Sequence, residues 1–361
     1  MNNNRPEPTT ADVGGSAVPY RAPEPPHAQE ARRADRARRA ARSLPDRVDW
    51  RAVAVFLAIA FAGAWLAALP FWLNGRDLQA FGPAGMQLIL VGMMYAPSLA
   101  TLVTVFLVQR PPEPGRLLGL HVRPARRTLA FLGIALVVPP LAYLLGTLLS
   151  IAVGASALDA EGGWLREIFG QSGVPVDEVP VAALAAVQLG SVLLIGVPLS
   201  TLAAFGEELG WRGWLLPELR PLGTWPALAI SGAVWGLWHA PIILLGYNFQ
   251  DRGPAGLAAM TAFCLLVGVF LGWLRLRSAS VYPAALAHGS LNSFPVLALM
   301  LTGPEAFSHP FVNGLGWTLW APYALLAVLL AVCGGFRRQP LPSLTLAESE
   351  AARVHHHSST A

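Results

Sequence analysis

The sequence predicts an all-α polytopic membrane protein with about eight transmembrane helices. Of the 361 residues, 54% are hydrophobic and 13% are charged, whereas about a quarter of a soluble domain is charged. The charges are concentrated near the two ends and in short connections. They leave apolar runs long enough to cross the roughly 30 Å hydrocarbon core of a bilayer. The two cysteines, Cys264 and Cys333, lie in different apolar runs and indicate neither a disulfide framework nor a metal cage.

Each apolar run has about the 17 to 25 residues that a spanning helix needs. The runs are Ala52 to Leu73, Ala84 to Val108, Thr128 to Ala155, Pro180 to Phe205, Thr224 to Gly246, Gly256 to Leu274, Val281 to Leu301 and Leu315 to Phe336. Prolines inside several runs are compatible with membrane helices, because neighbouring helices satisfy the freed backbone groups.

The distribution of arginines predicts the orientation, since cytoplasmic connections carry an excess of basic residues. One side of the membrane would carry Arg110, Arg116, Arg123, Arg126, Arg127, Arg220, Arg275, Arg277, Arg337 and Arg338. The other side would carry Arg76, Arg166 and Arg252 and an acidic loop. An even number of spans with both termini in the cytoplasm satisfies this pattern.

Residues 1–46 are rich in Pro, Ala, Arg and Glu and poor in aromatic and branched apolar residues, so we expect a disordered cytoplasmic arm. Its basic run is Arg32, Arg33, Arg36, Arg38, Arg39 and Arg42. The run is typical of a segment that binds anionic lipid. The simpler interpretation, a signal that only fixes the topology, is the one that we favour.

Ionisable side chains inside spans are costly, at about 2.5 to 3.5 kcal/mol each on insertion scales, and therefore indicate function. The first three runs contain no Asp, Glu, Arg or His. The polar residues of the later runs are Glu207, Glu208 and Arg212 at the end of the fourth, His239 in the fifth, and His288 and Asn292 in the seventh.

Helical geometry sorts these residues into faces. Glu208 and Arg212 are four apart and can pair, while Glu207 points about 100° away. A carboxylate in a low-dielectric site suits a general base that activates water, and Glu207 is the candidate. His239 would hold and polarise the water, and His288 and Asn292, also four apart, would donate hydrogen bonds to the oxygen of a tetrahedral intermediate.

Each residue alone also has a purely structural interpretation. Glu208 and Arg212 can form a structural ion pair. His239 can be a buried hydrogen-bonding residue, and Asn292 can stabilise a contact between helices. Six such residues on three helices favour a functional site, because their joint burial is expensive.

The three blocks, in this order, resemble the CPBP family of intramembrane proteases, which includes type 2 CAAX proteases and bacteriocin-processing enzymes. The family pattern is Glu-Glu-x-x-x-Arg, then aromatic-x-x-x-His, then His-x-x-x-Asn, and the resemblance covers residues 180–303. It implies a membrane fold of about eight helices with a conical active-site cavity between them. It also implies Glu207 and His239 as the water-activating pair, His288 and Asn292 on the oxyanion side, and Glu208 and Arg212 as supports. Trp235 stands where the family most often has Phe.

Members of the family are often labelled metalloproteases. A zinc site, or a site for another divalent metal, would require Glu207, His239 and His288 to converge. The chain lacks the His-Glu-x-x-His motif, and we favour the metal-free glutamate mechanism with no cofactor.

Composition, apolar runs and the resemblance together divide the chain into five parts. They are the arm (1–46), N-terminal transmembrane helices (47–179), a protease core (180–303), a final transmembrane helix (304–336) and a polar cytoplasmic tail (337–361). We expect an intramembrane endopeptidase that acts on a membrane-associated peptide or protein and contacts lipid but not nucleic acid. The alanine-rich composition, with arginine as the basic residue throughout, indicates a bacterial cytoplasmic membrane, where peptide processing or bacteriocin immunity is more plausible than cleavage of prenylated substrates.

Two other functions fit the same residues. A non-catalytic scaffold or immunity protein would use the cavity for binding only. A transporter or proton relay would also place Glu and His in the membrane, but the polar residues have no counterpart in the first half of the chain and so indicate no internal repeat.

Overall fold

The computed structural model describes residues 45–122, 125–173 and 175–337. These residues form helices and no β-strand, which confirms the all-α fold. The basic run of the arm and residues 338–361 of the tail lie outside the described residues.

Among the residues that the structure describes, seven helices are long and apolar enough to cross a membrane, and an eighth apolar helix is shorter. The helices are α1 (Trp50–Leu73), α2 (Gly82–Gln109), α3 (Ala125–Ala152), α4 (Gly163–Gln171), α5 (Val181–Leu222), α6 (Thr224–Ile243), α7 (Pro254–Ser278), α8 (Tyr282–Thr302) and the shorter α9 (Trp317–Val332). The chain is therefore an integral membrane protein with close to the predicted number of spans. Helix α4, which lies in the predicted acidic loop, is too short and polar to count among them.

Helix α5 continues well beyond Phe205, where the apolar run ends. Its first part exposes Leu194, Leu199 and Leu202 as a lipid-facing helix does, whereas residues 206–219 are buried within the protein. Hydropathy detects the lipid-facing part and not the part that is surrounded by protein. Two π-helical segments, Val192–Gly196 and Leu209–Leu215, widen α5.

In the described part of the chain, three of the apolar helices are interrupted, each directly before a proline or an Ala-Pro pair. The interruptions are at Tyr95 before Pro97 in α2, at His239 before Pro241 in α6, and at Phe294 before Pro295 in α8. Proline has no backbone N–H and clashes with the preceding turn, which favours a break directly before it. One of these breaks places His239 at a helix end.

Two pairs of helices pack at very short range around the later polar residues. Gly289 of α8 faces α5, where a β-carbon would lie 2.5 Å from Thr201 Cα. Gly236 of α6 faces α7, where a β-carbon would lie 2.4 Å from Thr261 Cα. Glycine at these positions lets the helix backbones approach closely. The side chains of α5, α6 and α8 can therefore meet between the two pairs.

Candidate active site

Trp235 of α6 lies at the centre of the polar residues. Its indole Nε1–H donates a hydrogen bond to Glu207 Oε2 at 2.7 Å, and Arg212 Cζ lies 4.3 Å from its ring centroid. The ring centroids of His288 and His239 lie 5.2 Å and 5.9 Å from that of Trp235. Helices α5, α6 and α8 thus bring four of the six predicted residues into contact with one buried indole.

Of the two carboxylate oxygens of Glu207, Oε2 accepts hydrogen bonds within the protein and Oε1 does not. Oε2 accepts hydrogen bonds from Trp235 and, at 3.3 Å, from Nε1 of Trp211, which lies one helical turn further along α5. Oε1 has no hydrogen-bond partner among the described residues, and it is absent from the set of fully enclosed unpaired atoms. It therefore reaches accessible space and can take a hydrogen bond from water.

Glu208 joins α5 to α8. Its Oε1 accepts a hydrogen bond from Arg212 Nη1 at 2.7 Å and another from His288 Nδ1 at 2.9 Å. The predicted Glu208–Arg212 ion pair is present, and both side chains are buried. Because Nδ1 of His288 donates to this carboxylate, the Nε2 atom is directed away from Glu208.

His239 is oriented by the helix break that Pro241 causes. Its backbone N–H bonds to the Gly236 carbonyl, three residues back, so the Trp235 carbonyl is left for the imidazole. His239 Nδ1 donates to this carbonyl at 2.8 Å. A carbonyl oxygen only accepts hydrogen bonds, so Nδ1 carries the proton, and Nε2 of the neutral ring is an acceptor.

Asn292 lies one turn beyond His288 on α8, as its spacing predicts, and its side chain is exposed. His288 itself is 4% exposed and His239 8% exposed. Neither His239 Nε2 nor His288 Nε2 is among the unpaired polar atoms that are fully enclosed. Within the described part of the chain, three polar atoms of the residues around Trp235 have no hydrogen-bond partner and are not fully enclosed: Glu207 Oε1, His239 Nε2 and His288 Nε2.

The side chains proposed for a metal are Glu207, His239 and His288. Among residues 45–122, 125–173 and 175–337, no three His, Cys, Asp or Glu side chains are placed so that they could hold an ion together.

The contribution of the two tryptophans was not predicted from the sequence. From the sequence, Trp235 is only an aromatic replacement for Phe. Because Phe has no N–H group, this comparison gives no indication of the hydrogen bond to Glu207. Trp211 follows Glu207 by four residues, and this spacing was a usable signal for a contact on the same helical face.

Fold and site together define a class: an integral membrane protein with a carboxylate–histidine cluster buried between its helices. Residues 189–294 match the family described as Type II CAAX prenyl endopeptidase Rce1-like. This segment contains all six predicted residues.

A related protein is CAAX prenyl protease 2 of Methanococcus maripaludis, which is 30% identical over 97 residues. The similarity covers 25% of this chain and 36% of that protein, so the chain spans about a third of the length of this relative. Together the two matches confirm the resemblance to the CPBP family over the segment that carries the site.

Proposed function

We propose that the protein is an intramembrane endopeptidase in which Glu207 and His239 activate a water molecule. The observation that carries the proposal is the arrangement around Trp235, where a carboxylate and two imidazoles from three helices each present an unpaired atom to accessible space. The relatives named for CAAX processing support the same class of reaction.

In the proposed reaction, the water molecule donates one hydrogen bond to Glu207 Oε1 and the other to His239 Nε2. Glu207 takes a proton as the water oxygen attacks the carbonyl carbon of the scissile peptide bond. The same proton then passes to the amide nitrogen as the carbon–nitrogen bond breaks. The products are a carboxylic acid, which carries the second proton of the water until it ionises, and an amine, and the Glu207 carboxylate is regenerated.

The oxygen of the tetrahedral intermediate would be stabilised from the α8 side. Asn292 can donate from its amide nitrogen in its neutral form. His288 can donate from Nε2 only when both ring nitrogens carry protons, because Nδ1–H is committed to Glu208. Removal of a single donor of this kind costs about 100- to 1,000-fold in kcat in other hydrolases.

We propose a substrate that is itself attached to the membrane, because α5 and α8 carry the site within apolar spans. Two reporters separate the possible substrate classes. One is an internally quenched peptide with a prenylated cysteine near its C-terminus, and the other is the same peptide fused to a transmembrane segment. Cleavage is followed by fluorescence with the full-length protein in nanodiscs, and the new ends are identified by mass spectrometry.

Variants at the site distinguish catalysis from binding. Glu207→Ala and His239→Ala should abolish cleavage and retain binding of the reporter, and reaction in ¹⁸O-water should place one heavy oxygen in the new carboxylate. Full cleavage by both variants would overturn the mechanism. Binding without cleavage by the unaltered protein would favour the scaffold function.

A metal requirement is tested separately on the same preparation. The metal-free proposal predicts less than about one-tenth of an equivalent of zinc in active protein and unchanged activity after dialysis against a chelator, since structural and catalytic sites bind zinc stoichiometrically. Activity that falls on dialysis and returns with added zinc would contradict it.

A further inference from the structure

We propose that Trp235 is a positioning residue that fixes the Glu207 carboxylate, with Trp211 as a second donor to the same oxygen. This inference rests on the proposed function. It concerns a residue that the family pattern uses only for its aromatic character. The structural basis is the 2.7 Å hydrogen bond from the indole Nε1–H of Trp235 to Glu207 Oε2.

A glutamate carboxylate rotates easily about its last torsion, which has a broad and roughly two-fold profile. Either oxygen of an unrestrained Glu207 would then face the water. Both indole donors of this site bind Oε2 and none binds Oε1. The carboxylate is thereby held in one orientation, and Oε1 is left as the basic atom.

The indole is itself held rigidly. Trp235 is 1% exposed, its face is covered by the Arg212 guanidinium, and its edge meets the His288 ring at an interplanar angle of 72°. The neighbouring Gly236 is packed against the backbone of Thr261. These contacts oppose rotation of the indole and keep its N–H group directed at Glu207.

Phenylalanine at this position would preserve the ring and remove the donor. Trp211 would remain as a donor, but at 3.3 Å its hydrogen bond is longer than that of Trp235. Trp235→Phe should therefore loosen Glu207 while the packing with Arg212 and His288 is largely retained. The matched control is Trp214→Phe, since Trp214 is fully buried in the same region and donates to the neutral side chain of Gln109 at 3.0 Å.

The first test is kinetic and uses the cleaved reporter with full-length protein in nanodiscs. Trp235→Phe should lower kcat by about 10- to 100-fold, the loss that corresponds to one hydrogen bond to a charged group, and leave KM within about two-fold because Trp235 acts through Glu207. Trp211→Phe should lose less, and Trp214→Phe should stay close to the unaltered protein. Equal kcat values for Trp235→Phe and Trp214→Phe would overturn the inference and leave the protease function intact.

The second test does not depend on activity. In protein labelled with ¹⁵N-tryptophan, the indole N–H resonance of Trp235 is the one that disappears in Trp235→Phe. It should move upfield in Glu207→Gln, because the charged acceptor is lost, while the Trp214 resonance stays in place. A Trp235 resonance that is unchanged in Glu207→Gln would refute the positioning role. If no reporter is cleaved, this result still decides the inference independently of the proposed function.

Discussion

Arg212 and Glu208 form an ion pair whose members are 1% and 0% exposed. A buried charge that loses its partner is far more destabilising than the intact pair is stabilising. The same Glu208 oxygen also accepts the hydrogen bond from His288. At the scale of single residues, therefore, this pair connects the stability of the fold with the orientation of a functional imidazole.

Arg212→Ala should destabilise the protein by about 3 to 5 kcal/mol, because it leaves Glu208 buried without its cation. The measurement is the thermal midpoint of the purified protein in detergent. The control is the double variant Glu208→Gln with Arg212→Met, which removes both charges. It should recover much of the lost stability but no activity, since His288 no longer has a carboxylate to hold it. Equal midpoints for the single and double variants would contradict this explanation.

His121, in the connection between α2 and α3, should make stability depend on pH. Burial lowers its pKa from 6.5, and the charges of Arg275 and Arg116 lower it further. Unfolded chains then bind more protons than folded ones as the pH falls below about 6.5, so stability decreases in that range and is greater at higher pH.

The measurement is the thermal midpoint as a function of pH in the unaltered protein and in His121→Gln. The variant should lose less stability on acidification, because glutamine does not titrate. Parallel curves would show that His121 does not contribute.

At the scale of elements, the sequence located the spans closely because apolar length is a local property. The predicted run Ala52 to Leu73 compares with the helix Trp50–Leu73, and Gly256 to Leu274 compares with Pro254–Ser278. The extension of α5 to Leu222 was not predicted, because the π-helical turn Leu209–Leu215 depends on tertiary contacts. One such contact is that of Gly210, where a β-carbon would lie 2.5 Å from Pro97 Cβ.

The identity of the site residues was also predictable from a local property of the sequence. Their contacts were not, because these depend on how the helices pack. Charge in an apolar run identified Glu207 and His288 without any knowledge of their neighbours. The direction of the Trp235 N–H depends on how α6 packs against α5, and no spacing in the sequence encodes that. Pro241 was visible as a proline inside a span, but neither the helix break before it nor the orientation of the His239 ring was predicted.

Close packing of α5 and α8 should be sensitive to a single methyl group at Gly289. In Gly289→Ala the new β-carbon would lie about 2.5 Å from the backbone N and Cα of Thr201, which cannot rotate away. We expect a loss of about 1 to 3 kcal/mol from overpacking and loss of cleavage, because His288 moves away from Glu208.

Gly133→Ala in α3 is the matched control, since nothing lies within 4 Å of a β-carbon there. It should leave stability unchanged or slightly increased, as alanine favours helix more than glycine does. Both variants are compared by thermal midpoint and by reporter cleavage. A neutral Gly289→Ala would show that α5 and α8 can separate at no cost to the site.

At the scale of the whole molecule, the membrane architecture depends on whether α9 crosses the bilayer. Seven helices satisfy the length of a span, and α9 has 16 residues. Such a helix is about 24 Å long, shorter than the roughly 30 Å hydrocarbon core. The arginine pattern nevertheless requires an even number of crossings, which would place residues 46 and 337 on the same side.

Cysteine labelling decides between seven and eight crossings. Asp46→Cys, Arg76→Cys and Arg337→Cys are made one at a time with Cys333→Ala, at three positions that are exposed in the structure, while Cys264 remains buried. In sealed vesicles of known orientation, a membrane-impermeant maleimide should label positions 46 and 337 from the cytoplasmic side and position 76 from the opposite side. Labelling of position 337 together with position 76 would show that α9 does not cross. The final arginines would then lie outside the cytoplasm, against the charge asymmetry that the other connections follow.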